Sequence, residues 1–488
     1  MNKSKVFILY TGGTIGSVPL DPNNSASPLA PGSFENLKSY VPALEQYKDV
    51  IEFGAGPHFD PPLDSSEIKP KHWITMARQI KEAYSDYDGF IILHGTDTMA
   101  YTSSGLSFIF ENLSKPVIIT GSQLPISHPR TDGISNFTNA IYLAAWKTFE
   151  LPPIPEVVIC FADKILRGNR ATKVSSTQWA GFDSPNFPPL GKIGEQIKIE
   201  ENLLLPMPYY DHECMIYTDL EENIVQLALF PGFGARQFSS FTNDNCDIEG
   251  IVINSFGAGN APGDKDFLDT IETAVRNNIT ILNVSQCLEG SVEMGLYEAS
   301  LGLLERGVVS GLDMTTEAAM AKMMWAIGNH LEEDIVAQLQ INQRGEQSQN
   351  LFGLQYKSIP EGEAGSTYTD KDNFDLRFDK RNLNKALIRF SDLSFKGVHS
   401  DTVVKLNIFV NIKQVKPDTS ESDDNCVASI NCHWKGKPLN LIEDITEKVE
   451  QVFGDGNIRL SVVSPAGNVK FYHNGLYIAL FSNTKDIR

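Results

Sequence analysis

Four short polar segments follow predicted strands or precede predicted helices, and they hold residue types suited to nucleophilic chemistry. Thr14 lies in LYTGGTIG, directly after an apolar run, and Thr96 and Asp97 lie in HGTDT after another. Lys173 ends RGNRATK, and DSSEI (64–68) adds two serine hydroxyls. A threonine hydroxyl attacks only once a base has taken its proton, and a lysine beside an aspartate can take or relay that proton. This combination indicates acyl transfer.

Each segment alone has a simpler interpretation. Thr96 or Asp97 could cap a helix, DSSEI could form a capping box, and a lone Lys173 is usually a solvated surface charge. The glycines of TGGTIG could instead cradle a phosphate. However, the segment lacks the Lys-Ser/Thr end of a P-loop and does not fit G-x-G-x-x-G. Capping does not explain why four such segments would share one edge of a sheet, which favours a catalytic site.

The region from residue 5 to about 195 must position these segments. It alternates short apolar runs with helical periodicity, which predicts a mostly parallel sheet with helices on both faces. The strand-like runs are KVFILY, GFIILHGTD, PVIITGSQ and VVICFADK, and the helical stretches are 71–87 and 102–113. In such sheets ligands bind beyond the carboxyl ends of the strands. We therefore expect the polar side chains to meet at those ends.

A second α/β unit and a β-rich tail are predicted to follow. IVQLALFPG, IEGIVINSFGAGN and ITILNVSQC read as strands, with helices at 264–278 and 315–330. The tail alternates apolar and polar residues, as in VVKLNIFVNIKQV, which predicts a sandwich with one helix in IEDITEKVEQVFG. The predicted organisation is a catalytic α/β domain (1–198), a linker (199–215), a smaller α/β domain (216–345), a second linker (346–373) and a β-rich accessory domain (374–488).

Composition excludes several classes of function. The net charge of −20 over 488 residues argues against a nucleic-acid partner and against an anionic membrane surface. The five apolar residues of VFILY are too few for a signal peptide, and no run approaches the roughly 18 that a membrane helix needs, so a cytoplasmic protein is expected. The six cysteines show no CxxC and no zinc-like spacing, so we expect free, mostly buried thiols, no metal and no cofactor.

Seven motifs, in this order and spacing across residues 5 to 345, resemble bacterial type I L-asparaginases. They are TGGTIG (11–16), DSS (64–66), HGTDTMAYTSS (94–104), PVIITGSQLP (116–125), RGNRATK (167–173), GAGNAP (257–262) and SQCLEGSVEMGLYE (285–298). The resemblance implies a larger and a smaller α/β domain and the hydrolysis of L-asparagine to aspartate and ammonia without a cofactor. It also implies active sites completed at a subunit interface, in a homodimer or homotetramer.

The resemblance also implies a role for each matched residue. Thr14 corresponds to the attacking threonine that becomes acylated, and Thr96 corresponds to a second threonine that acts with Lys173 and Asp97. Ser65 and Asp97 would bind the α-carboxylate and α-ammonium groups of the substrate, and backbone N–H groups of the Thr96 turn could hold the developing oxyanion. The implied substrate-binding residues are Asp64, Ser65, Ser66, Thr96, Asp97 and Asn260.

Two features depart from the family pattern. The family closes its site with a lid that carries a catalytic tyrosine, whereas the Pro- and Ser-rich segment 17–33 contains none and the next tyrosine is Tyr40. Either another group assists Thr14 or turnover is slow. Some type I enzymes also bind asparagine as an effector near a QC motif. Here Thr172, Asn254 and Cys287 form the candidate effector site, with Asn254 where an arginine is expected.

Two other functions remain open at this stage. The same fold could serve as the amide-donor subunit of a transamidation complex, passing ammonia to a partner. The missing lid tyrosine and the β-rich tail could also belong to a binding or sensor protein with little turnover. The tail would then bind an unknown partner, since sandwiches with long loops are common recognition scaffolds.

Overall fold

The chain divides into two compact units. The structure, a computed structural model, describes residues 3–21, 27–208, 212–242, 246–294, 298–330, 332–357, 366–369, 383–396, 398–410, 426–435, 439–446, 459–463, 470–472 and 475–483. The first unit comprises residues 1–339 and 343–347, and the second comprises 340–342 and 348–488. Within the described residues no helix is long and apolar enough to cross a bilayer.

The first unit alternates strands with helices along most of its length. Its strands, β1 to β18, are Ser4–Tyr10, Ser17–Pro19, Leu29–Pro31, Ile51–Ala55, Gly89–Leu93, Phe110–Glu111, Val117–Thr120, Val157–Phe161, Lys164–Arg167, Thr172–Lys173, Phe182–Asp183, Gly191–Ile193, Ile197–Ile199, Met215–Ile216, Ile224–Ala228, Gly250–Ser255, Thr280–Ser285 and Val309–Ser310. Its helices, α1 to α10, are Phe34–Lys38, Pro42–Gln46, Pro70–Ala83, Met99–Ile109, Gly133–Ala144, Ala235–Phe238, Lys265–Arg276, Glu298–Glu305, Thr316–Asn329 and Glu332–Gln340.

The larger sheet has eight strands in the order β13-β12-β9-β8-β7-β5-β1-β4. The five strands from β8 to β4 in this order are parallel to one another, and the remaining three join antiparallel. The predicted mostly parallel sheet is therefore confirmed. Its parallel strands end along one edge, where Thr11 N, just after β1, donates to Leu93 O at the end of β5 at 3.0 Å.

Helices cover both faces of this sheet because successive strand residues point to opposite sides. In β1, Val6 and Ile8 pack into the cluster that contains Phe137 of α5. Phe7 and Leu9 pack into the opposite cluster with α3. The α3 residues in that cluster are Trp73, Met76, Ala77 and Ile80, a spacing that places them on one face of the helix.

The smaller sheet has four parallel strands in the order β15-β16-β17-β18. The two central strands, β16 and β17, bury nearly every residue, as parallel strands covered on both faces do. Helix α7 packs on one face through Phe267 and Ile271, and α9 packs on the other through Ala318 and Met323. The predicted second α/β unit and its two helices are confirmed by these elements.

The described part of the second unit consists mainly of antiparallel strands. Its strands, β19 to β27, are Gln349–Lys357, Ser366–Thr369, Leu383–Lys396, Thr402–Val410, Cys426–Trp434, Leu439–Asp444, Arg459–Val463, Lys470–Tyr472 and Gly475–Asn483. They form one sheet in the order β19-β27-β21-β24, with β26 beside β21, and another in the order β20-β25-β22-β23. Phe395 of β21 and Trp434 of β23 pack edge to face between the two sheets, and their ring centroids are 5.5 Å apart. The sandwich-like prediction agrees with these sheets.

Two predictions about the tail differ from the structure. Strands β19 and β20 lie inside the segment 346–373, which its polar composition predicts to be a linker. Strand β19 forms because QNLFGLQYK supplies apolar residues that pair with β27. The predicted helix in IEDITEKVEQVFG is wrong at its start, because residues up to Asp444 belong to β24. Residues 447–454, which form most of the rest of that prediction, lie outside the described residues.

Candidate active site

The turn after β1 places Thr14 beside two other segments of the chain, because two glycines allow those segments to approach its backbone closely. Gly12 and Gly13 have φ of 122° and 81°, a region that residues with a side chain rarely adopt. A Cβ on Gly12 would overlap the backbone of Leu63, and one on Gly13 would overlap the backbone of Gly95. Thr14 then opens a short 3₁₀ turn and is half-buried. The glycines therefore bring three segments of the chain into contact beside Thr14.

The DSS segment reaches the same place. Asp64 caps a 3₁₀ turn that starts at Ser65, and its carboxylate accepts from the Ser66 N–H at 2.9 Å and the Ser66 hydroxyl at 2.7 Å. These hydrogen bonds lower the pKa of Asp64. The buried Ser65 accepts at Oγ from Asp97 N at 3.3 Å, and its carbonyl accepts from the Thr98 hydroxyl at 2.7 Å. The expected meeting of DSS with the Thr96–Asp97 turn is thus present.

Lys173 connects the other two predicted residues. Its Nζ donates to Thr96 Oγ1 at 2.9 Å and pairs with Asp97 Oδ1 at 2.6 Å. The Lys173 side chain is 18% exposed, whereas that of Asp97 is 68% exposed and open to a ligand. Helix α4 begins only at Met99, so neither Thr96 nor Asp97 is its N-cap, and the capping interpretation of the TD pair is wrong. The buried Thr96 hydroxyl instead faces an ammonium group.

A buried histidine that sequence reasoning missed supports this turn. His94 contacts Thr102 Oγ1 through Nε2 at 2.9 Å and the carbonyl of Gly95 through Nδ1 at 2.7 Å. The Trp73 indole donates to the same Thr102 oxygen at 3.0 Å. Thr102 therefore donates its own proton to Nε2, and Nδ1–H donates to Gly95. Burial lowers the pKa of His94 to about 4.

The lid segment forms a hairpin of β2 and β3, held at its base by Tyr10. Ser17 pairs with Pro31, and Gly32 N donates to Gly16 O at 2.9 Å. The Tyr10 hydroxyl donates to Gly32 O at 2.8 Å, and burial raises the pKa of this phenol. Residues 22–26 at the tip lie outside the described residues. No residue in the described part of the chain hydrogen-bonds the Thr14 hydroxyl.

The candidate effector residues lie near the start of α9 and after β17. The Thr172 hydroxyl donates to Glu317 at 2.6 Å, and Asn254 Nδ2 donates to Thr316 Oγ1 at 2.7 Å. Asn254 also accepts from the side chain of Gln226 at 3.0 Å, so both ends of its amide are engaged. Cys287 is exposed. The described contacts bring Thr172 and Asn254 to adjacent residues of one helix but do not join Cys287 to them.

Asn260 lies in the turn after β16. Its N–H donates to Phe256 O at 2.8 Å, and its buried side-chain oxygen has no hydrogen-bond partner among the described residues. None of the described hydrogen bonds joins it to Thr14, Thr96 or Lys173 of the same chain. Its substrate-binding role therefore stays a prediction.

The described residues contain no group of three or more His, Cys, Asp or Glu side chains that could hold a metal ion. The six cysteines are free, four of them buried, with Cys246 half-buried and Cys287 exposed. The prediction of free, mostly buried thiols is confirmed.

Comparisons with known proteins agree with this arrangement. Family models of the asparaginase N-terminal domain and of the glutaminase/asparaginase C-terminal domain match residues 5–205 and 223–339. The chain is 36% identical to L-asparaginase 1 of Escherichia coli K12 over 353 residues, covering 72% of this chain and 98% of that protein. It is 33% identical over 346 residues to the 60 kDa lysophospholipase of Mus musculus, covering 66% and 58% respectively.

A solved structure shows the same fold. L-asparaginase I of Vibrio cholerae superposes with a TM-score of 0.64 at 36% identity, covering 71% of this chain and all of that one. Residues 5–205, which the asparaginase N-terminal model matches, contain all the predicted catalytic residues. The chain therefore belongs to the asparaginase family of amidohydrolase enzymes.

Proposed function

We propose that this enzyme hydrolyses L-asparagine to L-aspartate and ammonia through an acyl-enzyme on Thr14. The observation that carries the proposal is the position of Lys173 Nζ, 2.9 Å from Thr96 Oγ1 and 2.6 Å from Asp97 Oδ1. This group stands beside the Gly13–Gly95 contact that brings the Thr14 turn to the same edge of the sheet. A nucleophile, a second hydroxyl with a lysine, and a carboxylate are the parts that amide hydrolysis needs.

In the proposed reaction Thr14 Oγ1 attacks the side-chain amide carbon and passes its proton toward the leaving nitrogen. The carbonyl oxygen becomes an oxyanion, for which the Thr96 N–H is a suitable donor because it has no acceptor among the described residues. The C–N bond then breaks, ammonia leaves, and Thr14 carries an ester of aspartate. A water molecule, deprotonated with the help of Thr96 and Lys173, attacks this ester and regenerates the hydroxyl.

The substrate would be held by its two charged groups. The exposed carboxylate of Asp97 suits the α-ammonium group, and the hydroxyl of the buried Ser65 suits the α-carboxylate. Asp64 and Ser66 stabilise the turn that holds Ser65. We further propose that Asn260 contributes to substrate binding at a subunit interface, in a homodimer or homotetramer. Light scattering of the purified chain tests the assembly, and a strictly monomeric active enzyme would contradict it.

An ammonia-release assay on the full chain with asparagine tests the proposed function. We expect turnover in the wild type, and a loss on the order of 10⁴- to 10⁶-fold in Thr14→Ala, as is typical when a nucleophile is removed. Thr75→Ala removes a comparable hydroxyl from the exposed face of α3 and should keep full activity. Absence of ammonia from the wild type would favour a binding or sensor protein. Release only in the presence of a partner subunit would favour transamidation.

A further inference from the structure

A short polar segment at the end of the first unit has its last three residues buried. Residues 343–347, here called the strut, follow α10 and precede β19. Glu346 is 0% exposed and Gln347 is 1% exposed, although charged and amide side chains are rarely buried without partners. Gly345 has φ of 81°, and a Cβ there would press on the guanidinium group of Arg167. Such burial of polar residues requires a specific set of partners.

Glu346 folds the strut into a tight turn and fixes it to α9. Its carboxylate accepts from Gln343 N at 3.0 Å and from Arg344 N at 2.7 Å. It also pairs with the fully buried Lys322 at 2.7 Å, and Lys322 donates to Gln347 at 2.9 Å. Burial alone would raise the pKa of Glu346, but Lys322 and the backbone N–H groups hold it below its usual value. The strut is therefore a rigid part of the first unit.

The carbonyl groups of the strut face the loop that leads to Lys173. Asn169 Nδ2 donates to Arg344 O at 2.9 Å, and Arg170 Nε donates to Gly345 O at 2.7 Å. Arg167 Nη1 adds a longer bond of 3.4 Å to the same Gly345 oxygen. These three donors belong to four consecutive residues that end three positions before Lys173. The strut thus holds the backbone from which the lysine side chain extends.

Asn169 shows an arrangement that stability alone would not favour. The residue is completely buried, and its Oδ1 has no hydrogen-bond partner among the described residues. An unpaired buried carbonyl of this kind is destabilising, which largely offsets what the bond from Nδ2 contributes. An apolar residue of similar size would remove that cost but would leave Arg344 O without this donor. The amide is therefore better explained by the bond to the strut than by its net effect on stability.

We propose that the strut is a positioning element for the reaction, with Asn169 and Arg170 as positioning residues that set the place of Lys173 relative to Thr96. The inference rests on the proposed function. Ser65 and Asp97 come from other turns, so the strut reaches the substrate-binding groups only through the ion pair of Lys173 with Asp97. Loosening the strut should consequently lower kcat by a larger factor than it raises KM. A purely structural role would lower the melting temperature and leave the kcat of the folded enzyme intact.

Asn169→Leu in the full chain tests the inference. The substitution removes the unpaired oxygen but leaves Arg344 O without its Asn169 donor, and these opposing effects should keep the melting temperature close to that of the wild type. Displacement of a catalytic group by about 1 Å can cost on the order of 100-fold in rate, so we expect kcat for asparagine to fall about ten- to a hundredfold, with a smaller change in KM. Gln79→Leu is the matched control, because it removes another unpaired buried amide oxygen, on α3, without contacting the strut.

Wild-type kcat in a folded Asn169→Leu enzyme would overturn the inference, and so would an equal loss in Gln79→Leu. If Asn169→Leu does not fold, Arg170→Lys decides by the same criteria, because it keeps a cation beside Asp313 but lacks the Nε donor to Gly345. A wild type that releases no ammonia from asparagine would contradict the proposed function. An active wild type with unaffected variants contradicts only the role of the strut.

Discussion

A site that grips both charged groups of an amino acid holds its side-chain amide at one fixed distance. Ser65 and Asp97 are joined by a hydrogen bond of 3.3 Å, so the two binding points cannot move independently. Glutamine is one methylene longer than asparagine, and its amide carbon would overshoot Thr14. One methylene is worth roughly 1–3 kcal/mol in such a site.

We therefore predict that kcat/KM is at least about tenfold higher for asparagine than for glutamine. Ammonia release measured with each amino acid over a range of concentrations provides the comparison, with D-asparagine as a control for the positions of the two charged groups. Equal values for asparagine and glutamine would show that binding of the α-carboxylate and α-ammonium groups does not fix the distance between the side-chain amide and Thr14.

The buried His94 makes a second prediction, about stability and pH. Its pKa is lowered from an ordinary value of 6.5 to about 4, so below pH 6.5 the unfolded chain takes up a proton that the folded chain does not. The free energy of unfolding should therefore fall between pH 6.5 and 4, by about 3 kcal/mol from this residue.

Urea unfolding followed at pH 7 and pH 4.5 measures this effect. His94→Gln should lose less stability over this interval than the wild type, whereas His128→Gln, at an exposed histidine, should match the wild type. If wild type and His94→Gln lost equal stability, the histidine would not be held neutral by burial.

Among the elements, the segment between β1 and the 3₁₀ turn that starts at Thr14 depends most on glycine. Gly13→Ala would force a positive φ on alanine and overlap the Gly95 backbone, which lies next to Thr96. We predict that this variant loses most of its activity and unfolds at a lower temperature, measured by ammonia release and circular dichroism. Gly234→Ala is the control, because nothing lies within 4 Å of a Cβ there. Wild-type activity and stability of Gly13→Ala would mean that the turn can move away from the Gly95 backbone to accommodate a side chain.

Strands and helices of the first unit could be predicted because their signals are local and periodic. Trp73, Met76 and Ile80 repeat at helical spacing, and β5 is an uninterrupted apolar run. The TGGT and HGTDT turns could be predicted because they follow such runs. The hydrogen bonds from Trp73 through Thr102 to His94 could not, since they join residues 29 and 8 positions apart whose types also occur in ordinary cores. The predicted linker overlaps the strut at residues 346 and 347, because a polar composition does not reveal burial that depends on the distant Lys322.

For the whole molecule, the first unit ends with the strut, although residues 340–342 just before it belong to the second unit. A fragment of residues 1–348 keeps Glu346 beside Lys322, whereas a fragment of residues 1–341 removes the carboxylate that neutralises this buried lysine. Removal of one partner from a buried ion pair costs about 3–5 kcal/mol, a large share of the 5–15 kcal/mol that stabilises a typical domain. We predict that 1–348 is folded and active and that 1–341 is not.

Thermal unfolding and asparagine hydrolysis of the two fragments, beside the full chain, provide the measurement. An active 1–348 would support the expectation that the β-rich unit is dispensable for chemistry. An inactive 1–348 with an active full chain would place the second unit in the catalytic assembly. A stable 1–341 would contradict the importance assigned to the Lys322–Glu346 pair.

The position of the Lys322–Glu346 pair also has a consequence for synthesis in the cell. Because the first unit lacks its last buried charge until Glu346 has been added, it cannot complete its core early in translation. The 141 residues from 348 to 488 are made afterwards, which takes about 7 to 28 s at roughly 5–20 residues per second. The catalytic unit therefore has seconds to close while the ribosome is still adding the β-rich unit, before the apolar strands of that unit are present to compete for pairing.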